Sequence, residues 1–249
     1  DTMGLPDWVG IVGGIAVGAV VGMFNGFFLS FTSMPPFVVT LSSQLIARGF
    51  CYVVTKGKML YCDSSFSVYG NGYLFEVIPL PVVYLLVIFV IMFILLSKTK
   101  FGRYVYAIGG NEEASIASGI NVVKSKYMAF LINGVLVGIA GVLFMARVNA
   151  GLPNGAVGYE MEGLTAAIVG GTSFSGGVGT TSGSLIGSFI IGCLNNIMNL
   201  QGVDSYIQQV VKGIIIVAAV LYDINFKNKK SPKVILQKKD EKKEPAAKA

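Results

Sequence analysis

The side chains best suited to catalysis are absent or scattered in this 249-residue chain. Histidine does not occur, which excludes a Ser-His-Asp or Cys-His relay, the HExxH metal helix and a histidine-ligated haem within the chain. Cys51, Cys62 and Cys193 are odd in number and lack CxxC spacing, so they imply neither a zinc site nor a disulfide framework. No catalytic residue and no metal ligand is assigned. The one Gly-Lys pair, Gly57-Lys58, is followed by Met59; without GxxxxGK[ST] there is no cradle for nucleotide phosphates. GGTSFSGGVG, from Gly170, imitates such a loop only in its glycines. It lies in 41 uncharged residues between Glu162 and Asp204, where a nucleotide's charge would meet no Lys or Arg.

What the chain offers instead is a set of polar side chains inside apolar runs: Gln44, Arg48, Asn133, Asn195, Asn196, Asn199, Gln208, Gln209 and Lys212. Neutral amides outnumber ions, which suits a path for an uncharged, hydroxyl-rich solute better than a proton relay or an ion filter. Gln44, Arg48, Asn133, Asn195, Asn196 and Gln208 are the candidate path residues; amide bonds between helices with no transport role are the equal alternative. For Lys212 an interior charge and a snorkelling one paired with Asp204 or Asp223 both stand, the second slightly favoured.

The elements that must position these groups are membrane helices. Apolar residues make up 53% and charged residues only 13%, about half the roughly 25% of a soluble domain. Crossing a hydrocarbon core takes about 20 apolar residues. Trp8 to Phe31, Pro79 to Ser97 and Tyr127 to Ala146 are charge-free runs, while Pro35 to Thr55 holds only Arg48 and Ser205 to Tyr222 only Lys212. The Gly-rich stretch from Gly170 to Gly183 divides the long uncharged region into a short helix and a longer one, as two crossings or a re-entrant hairpin. The fold class expected is all-α: a polytopic bundle of about six to eight spanning or re-entrant helices over 1–224, some short and broken. A disordered Lys-rich tail is expected over 225–249. The chain begins at Asp1 without an initiator Met, and further spans are expected ahead of it.

Glycine at every fourth position marks the packing faces. Gly14, Gly18, Gly22 and Gly26 form a stripe in the first helix; Gly179, Gly183 and Gly187 repeat it later, and Gly134, Gly138 and Gly141 approximate it. Small residues at this spacing let helix backbones approach closely in lipid.

Charge sets the orientation, because Lys and Arg in short loops stay cytoplasmic. The segment 98–126 holds Lys98, Lys100, Arg103, Lys124 and Lys126, and the tail from Phe226 holds nine lysines. The loop from Asn149 to Glu162 holds no basic residue. The 98–126 loop and the C-terminus are therefore expected on the cytoplasmic side of an inner membrane, a parity that an even number of crossings between them satisfies. The net charge of +6 resides in the tail, without interleaved aromatics, so no nucleic-acid partner is implied.

Within that loop Gly109 and Gly110 break the preceding segment. Asn111 is suited to an N-cap, Glu112 and Glu113 to the first turn, Ala114 continues the helix and Gly119 ends it at C′. A capped helix of about two turns is unstable alone, so it needs a surface to dock on.

Four stretches carry a resemblance: MPPFVVTLSSQLIARG (34–49), FGRYVYAIGGNEEASIASGI (101–120), YEMEGLTAAIVGGTSFSGGVGTTSGSLIGSFIIGCLNN (159–196) and VDSYIQQVVKGIIIVAAVLYD (203–223). In order and spacing the chain from about 8 to 224 resembles the permease subunit of bacterial monosaccharide ATP-binding-cassette importers of the ribose, xylose and galactoside type. The resemblance implies a membrane permease and no enzyme. It also implies a second permease copy, a periplasmic sugar-binding protein and a cytoplasmic ATPase that binds ATP-Mg. Gly109 to Ile120 match the coupling helix that docks on that ATPase. TKG at 55–57 and VDSYIQQ at 203–209 lean towards galactosides, LNNIMNLQGV at 194–203 towards ribose. Branched-chain amino-acid permeases match less well, because GGTSFSGGVG and LNN follow the sugar type. An ion-coupled secondary transporter or channel would need carboxylates within the spans; the charge-free runs contain none, and Glu76, Glu160 and Glu162 are expected near span ends. A structural membrane subunit of an enzyme complex is the third reading.

Overall fold

The computed structural model describes residues 6–62 and 64–230, with side chains placed through Asp223 except at Ser64. Among them, ten helices follow in order: α1 Asp7–Phe31, α2 Pro36–Thr55, α3 Ser64–Asn71, α4 Leu80–Lys98, α5 Lys100–Gly110, α6 Glu112–Ala117, α7 Val122–Val148, α8 Tyr159–Val169, α9 Thr181–Leu200 and α10 Ser205–Lys230. Six are long and apolar enough to cross a membrane: α1, α2, α4, α7, α9 and the Ser205–Asp223 part of α10. Strand is confined to two-residue pieces, β1 (Leu60–Tyr61) on β4 (Ala150–Gly151) and β2 (Tyr73–Leu74) on β3 (Ile78–Pro79), both antiparallel. The molecule is an all-α polytopic bundle. Residues 225–230 continue α10, and the rest of the expected tail, 231–249, lies outside the described residues.

Local chemistry sets the helix limits. Pro36 opens α2 at its first position and Pro81 lies in the first turn of α4, where a missing N–H leaves no orphan donor. Lys56 and Gly57 close α2 in the left-handed region. Asn121 caps α7, accepting from the Lys124 amide at 2.9 Å. No residue of α4 is buried within the chain, as befits a helix whose sides face lipid, where apolar exposure costs nothing.

The bundle's tightest seam joins α1 to α7, antiparallel. A Cβ on Gly18 would lie 2.5 Å from the Gly134 carbonyl oxygen, and one on Gly22 2.6 Å from that of Phe130. Gly14 meets Val142, and Gly26 meets Tyr127. The backbones touch because nothing larger than hydrogen stands between them. Gly141 points into open space and lies outside this seam, whereas Gly138 is in it.

α8 and α9 form a second antiparallel pair. Gly183 lies against the Gly170 backbone and Gly187 against Ala166; Gly179 precedes α9, in the loop, and packs on Thr172. With 11 residues, α8 is about 16 Å long, roughly half of a 30 Å hydrocarbon core. It stops at Gly170, where the Gly-rich stretch begins, and the next glycine, Gly171, adopts φ +89°.

Two features depart from the sequence reading. The stretch 100–110, expected as loop, is helix α5, capped by Thr99, whose hydroxyl accepts from the Gly102 amide at 3.3 Å. The polar segment between α2 and α4 contains α3. There Asn71 donates to the Arg147 carbonyl at 3.1 Å, and Phe66 joins Val142 and Ala146 in a small core. This core lies at the end of the bundle opposite α6.

Candidate functional site

α6 is six residues long and held by its caps. The Asn111 Oδ1 accepts from the Ala114 amide at 2.9 Å. At the other end Gly119, at φ +78°, donates to Ile116 O at 2.9 Å, and Ile120 donates to Ser115 O at 3.1 Å. That pair of bonds is a Schellman closure, and it needs the left-handed residue glycine supplies without strain. Ser115 alone of the α6 residues is buried; Glu113, Ala114 and Ile116 are exposed. Glu112 is committed within the chain, since both its oxygens accept from Lys126 Nζ at 2.7 Å.

The Gly-rich loop is a seat for the chain that enters α6. Gly109 and Gly110 end α5, and the backbones of Gly176 and Gly177 lie directly against them: a Cβ on Gly177 would lie 2.7 Å from the Gly110 Cα. Gly176 and Gly177 have φ +85° and +77°, a conformation open to glycine at little cost. The same loop is tied to α10, because the Asp223 carboxylate accepts from the Ser173 hydroxyl and the Phe174 amide, each at 3.0 Å. The Gly-rich loop, α5–α6 and the C-terminal part of α10 thus meet at one end of the bundle.

A second polar group lies inside the bundle, where α8, α9 and α10 converge. Glu162 forms an ion pair with Lys212, and its other oxygen accepts from Asn195 Nδ2 at 3.3 Å. Lys212 therefore pairs with neither Asp204 nor Asp223: Asp204 caps α10, accepting from the Tyr206 amide at 2.8 Å, and Asp223 holds the Gly-rich loop. Glu162 lies not in a loop but in the first turn of α8. The missing signal was available in Lys212, a lone cation in an apolar run, which demands a buried partner. A nearby outer pair joins α2 to α8: Gln44 donates to Glu160 at 3.1 Å. The Gly158 amide also donates to Glu160, at 3.1 Å, and the Arg48 charge lies near it.

The candidate path residues are thus divided. Gln44 and Arg48 gather at Glu160, and Asn195 at Glu162. Gln208 is buried and staples the α9–α10 turn, donating to Asn199 and to Val203 O, each at 2.9 Å. Asn133 and Asn196 are exposed on α7 and α9, away from both groups.

Comparison with known proteins bears on this geometry. A family profile described as branched-chain amino acid transport system / permease component matches residues 2–220. The ribose import permease protein RbsC of Bacillus subtilis is 44% identical over 202 residues, covering 80% of this chain and 62% of the relative. The D-allose transport system permease protein AlsC of Escherichia coli is 38% identical over 220 residues, 88% of this chain and 67% of the relative. The L-arabinose transport system permease protein AraH of the same organism is 36% identical over 217 residues, 87% and 66% respectively. The chain thus spans under two thirds of the length of the Bacillus relative. No solved structure matches.

Proposed function

The chain belongs to the family of branched-chain amino acid transport system permease components, and on that premise we propose that it is the membrane subunit of an ATP-driven monosaccharide importer. The relatives named for ribose, allose and arabinose favour a sugar over a branched-chain amino acid. The observation that carries the reading is α6: a helix too short to stand alone, capped at both ends, with Glu113 and Ile116 exposed at one end of the bundle. Its role is to dock on a cytoplasmic ATPase, which supplies the nucleotide site that this chain's sequence lacks.

In this reading α6 moves with the ATPase as a rigid body. The Gly-rich seat passes the displacement to α10 through Asp223, and the bundle alternates between outward-open and inward-open states. A periplasmic binding protein delivers the sugar at the α3 end, and a second permease copy completes the pathway. No covalent or acid–base step is needed.

The test is reconstitution in proteoliposomes with the partner ATPase and receptor. Uptake of labelled ribose, allose or arabinose that requires internal or external ATP on the α6 side is expected. Sugar uptake driven by a proton or sodium gradient without ATP would overturn the proposal in favour of secondary transport.

A further inference from the structure

Neither the seat of α6 nor the glycine seams account for the ion pair inside the bundle. Lys212 stands about 10 Å along α10 from Ser205, within the span-length run Ser205–Asp223. A charge at such depth is costly and calls for a partner or a wet surface. This pair has both. Its side chains remain 26% and 29% exposed, and together with Thr165, Ile191, Gln209 and Ile216 they line a cleft of about 360 Å³. Behind the cleft's lining, Asn195 Nδ2 donates to the second oxygen of Glu162 at 3.3 Å and holds that carboxylate in place.

The pair stands open on a cleft large enough for a small organic molecule, within the range of about 300–1,000 Å³ usual for such sites. The site carries no net charge: an anion would meet Glu162, and a cation would meet Lys212. Adjacent hydroxyls match it, because each can donate to a carboxylate and accept from an ammonium. The aliphatic walls at Ile191 and Ile216 suit the C–H faces of a ring.

We infer that this cleft is a binding site for a neutral polyhydroxy solute, with Glu162 accepting from one hydroxyl and Lys212 donating to its neighbour, beside the Gln209 amide on the same wall. The inference rests on the import function proposed above and names the residues that hold the cargo within the membrane. Of the candidate path residues none lines it, and Asn195 is tied to it through its bond to Glu162.

The experiment measures ribose moved per ATP hydrolysed by the reconstituted importer. Glu162→Gln and Lys212→Met should each lower that ratio about tenfold, the effect of losing one charge-assisted hydrogen bond. The exchanged variant, Glu162→Lys with Lys212→Glu, separates holding a solute from bracing two helices. A ratio that stays low supports the site; a return to the wild-type ratio shows a brace and overturns it. Should these variants fail to assemble, Gln209→Ala on the exposed wall carries the test, a lowered ratio supporting the cleft and an unchanged one overturning it. A wild-type importer that moves no sugar would sink the import reading itself, whereas transport by the wild type with equal ratios in every variant would sink only the cleft.

Discussion

Gly177 rests on the backbone of Gly110, with room for no Cβ between them: one added to Gly177 would lie 2.7 Å from the Gly110 Cα. The loop that divides α8 from α9 and the helix that leads into α6 are therefore in main-chain contact, and any movement of one displaces the other.

Gly177→Ala should break that contact. The left-handed conformation alone costs an alanine about 1–2 kcal/mol, and the overlap with Gly110 adds to it. Thermal unfolding in detergent should fall by several degrees, and sugar moved per ATP should fall with it. Unchanged coupling in a variant that assembles normally would show that the loop does not relay motion.

The α1–α7 seam predicts opposite signs for two chemically identical changes. Gly18→Ala places a methyl within 2.5 Å of the Gly134 carbonyl oxygen and should lower the melting temperature. Gly141→Ala, in open space, should raise stability by about 1 kcal/mol, the helix preference of alanine over glycine. A melting series on the two variants checks both.

Removing the α6 caps should loosen the helix without disturbing the spans. Asn111→Ala should cost about 1 kcal/mol, and Asn111→Asp, which keeps an acceptor at the N-terminus, much less. Hydrogen exchange at the Ala114 and Ser115 amides reports the difference, and binding of the ATPase should weaken in the same order.

Asp223→Ala removes the acceptor for both Ser173 and Phe174, while Asp223→Asn keeps one carbonyl oxygen in place. Limited proteolysis between 171 and 180 should accelerate in the alanine variant and change little in the asparagine one.

The Glu112–Lys126 pair is half exposed on its acidic side, so Lys126→Ala should change stability by less than about 1 kcal/mol, and less still at high salt. A larger loss, independent of salt, would mean that the pair fixes the position of α6.

What could be read from the sequence was what neighbouring residues decide between themselves. Asn111 and Gly119 announce the ends of α6 because caps are local chemistry, and the long apolar runs announce the spans. Helix α5 was hidden because Gly109 and Gly110 look like breakers; they are tolerated at its end since only glycine admits the Gly176–Gly177 backbone. The partner of Lys212 was hidden for a different reason. Glu162 is 50 residues away on a helix too short to register as a span, and Asp204 and Asp223, nearer in sequence, both serve backbone amides instead. Contacts made by topology rather than adjacency carry no local signature.

Because α8 has 11 residues against the 20 of its partner α9 and their shared end is the Gly-rich loop, the depth left over lies ahead of Tyr159 and falls to the non-helical chain 152–158. Loosening of that segment should therefore let small solutes leak before the long helices separate.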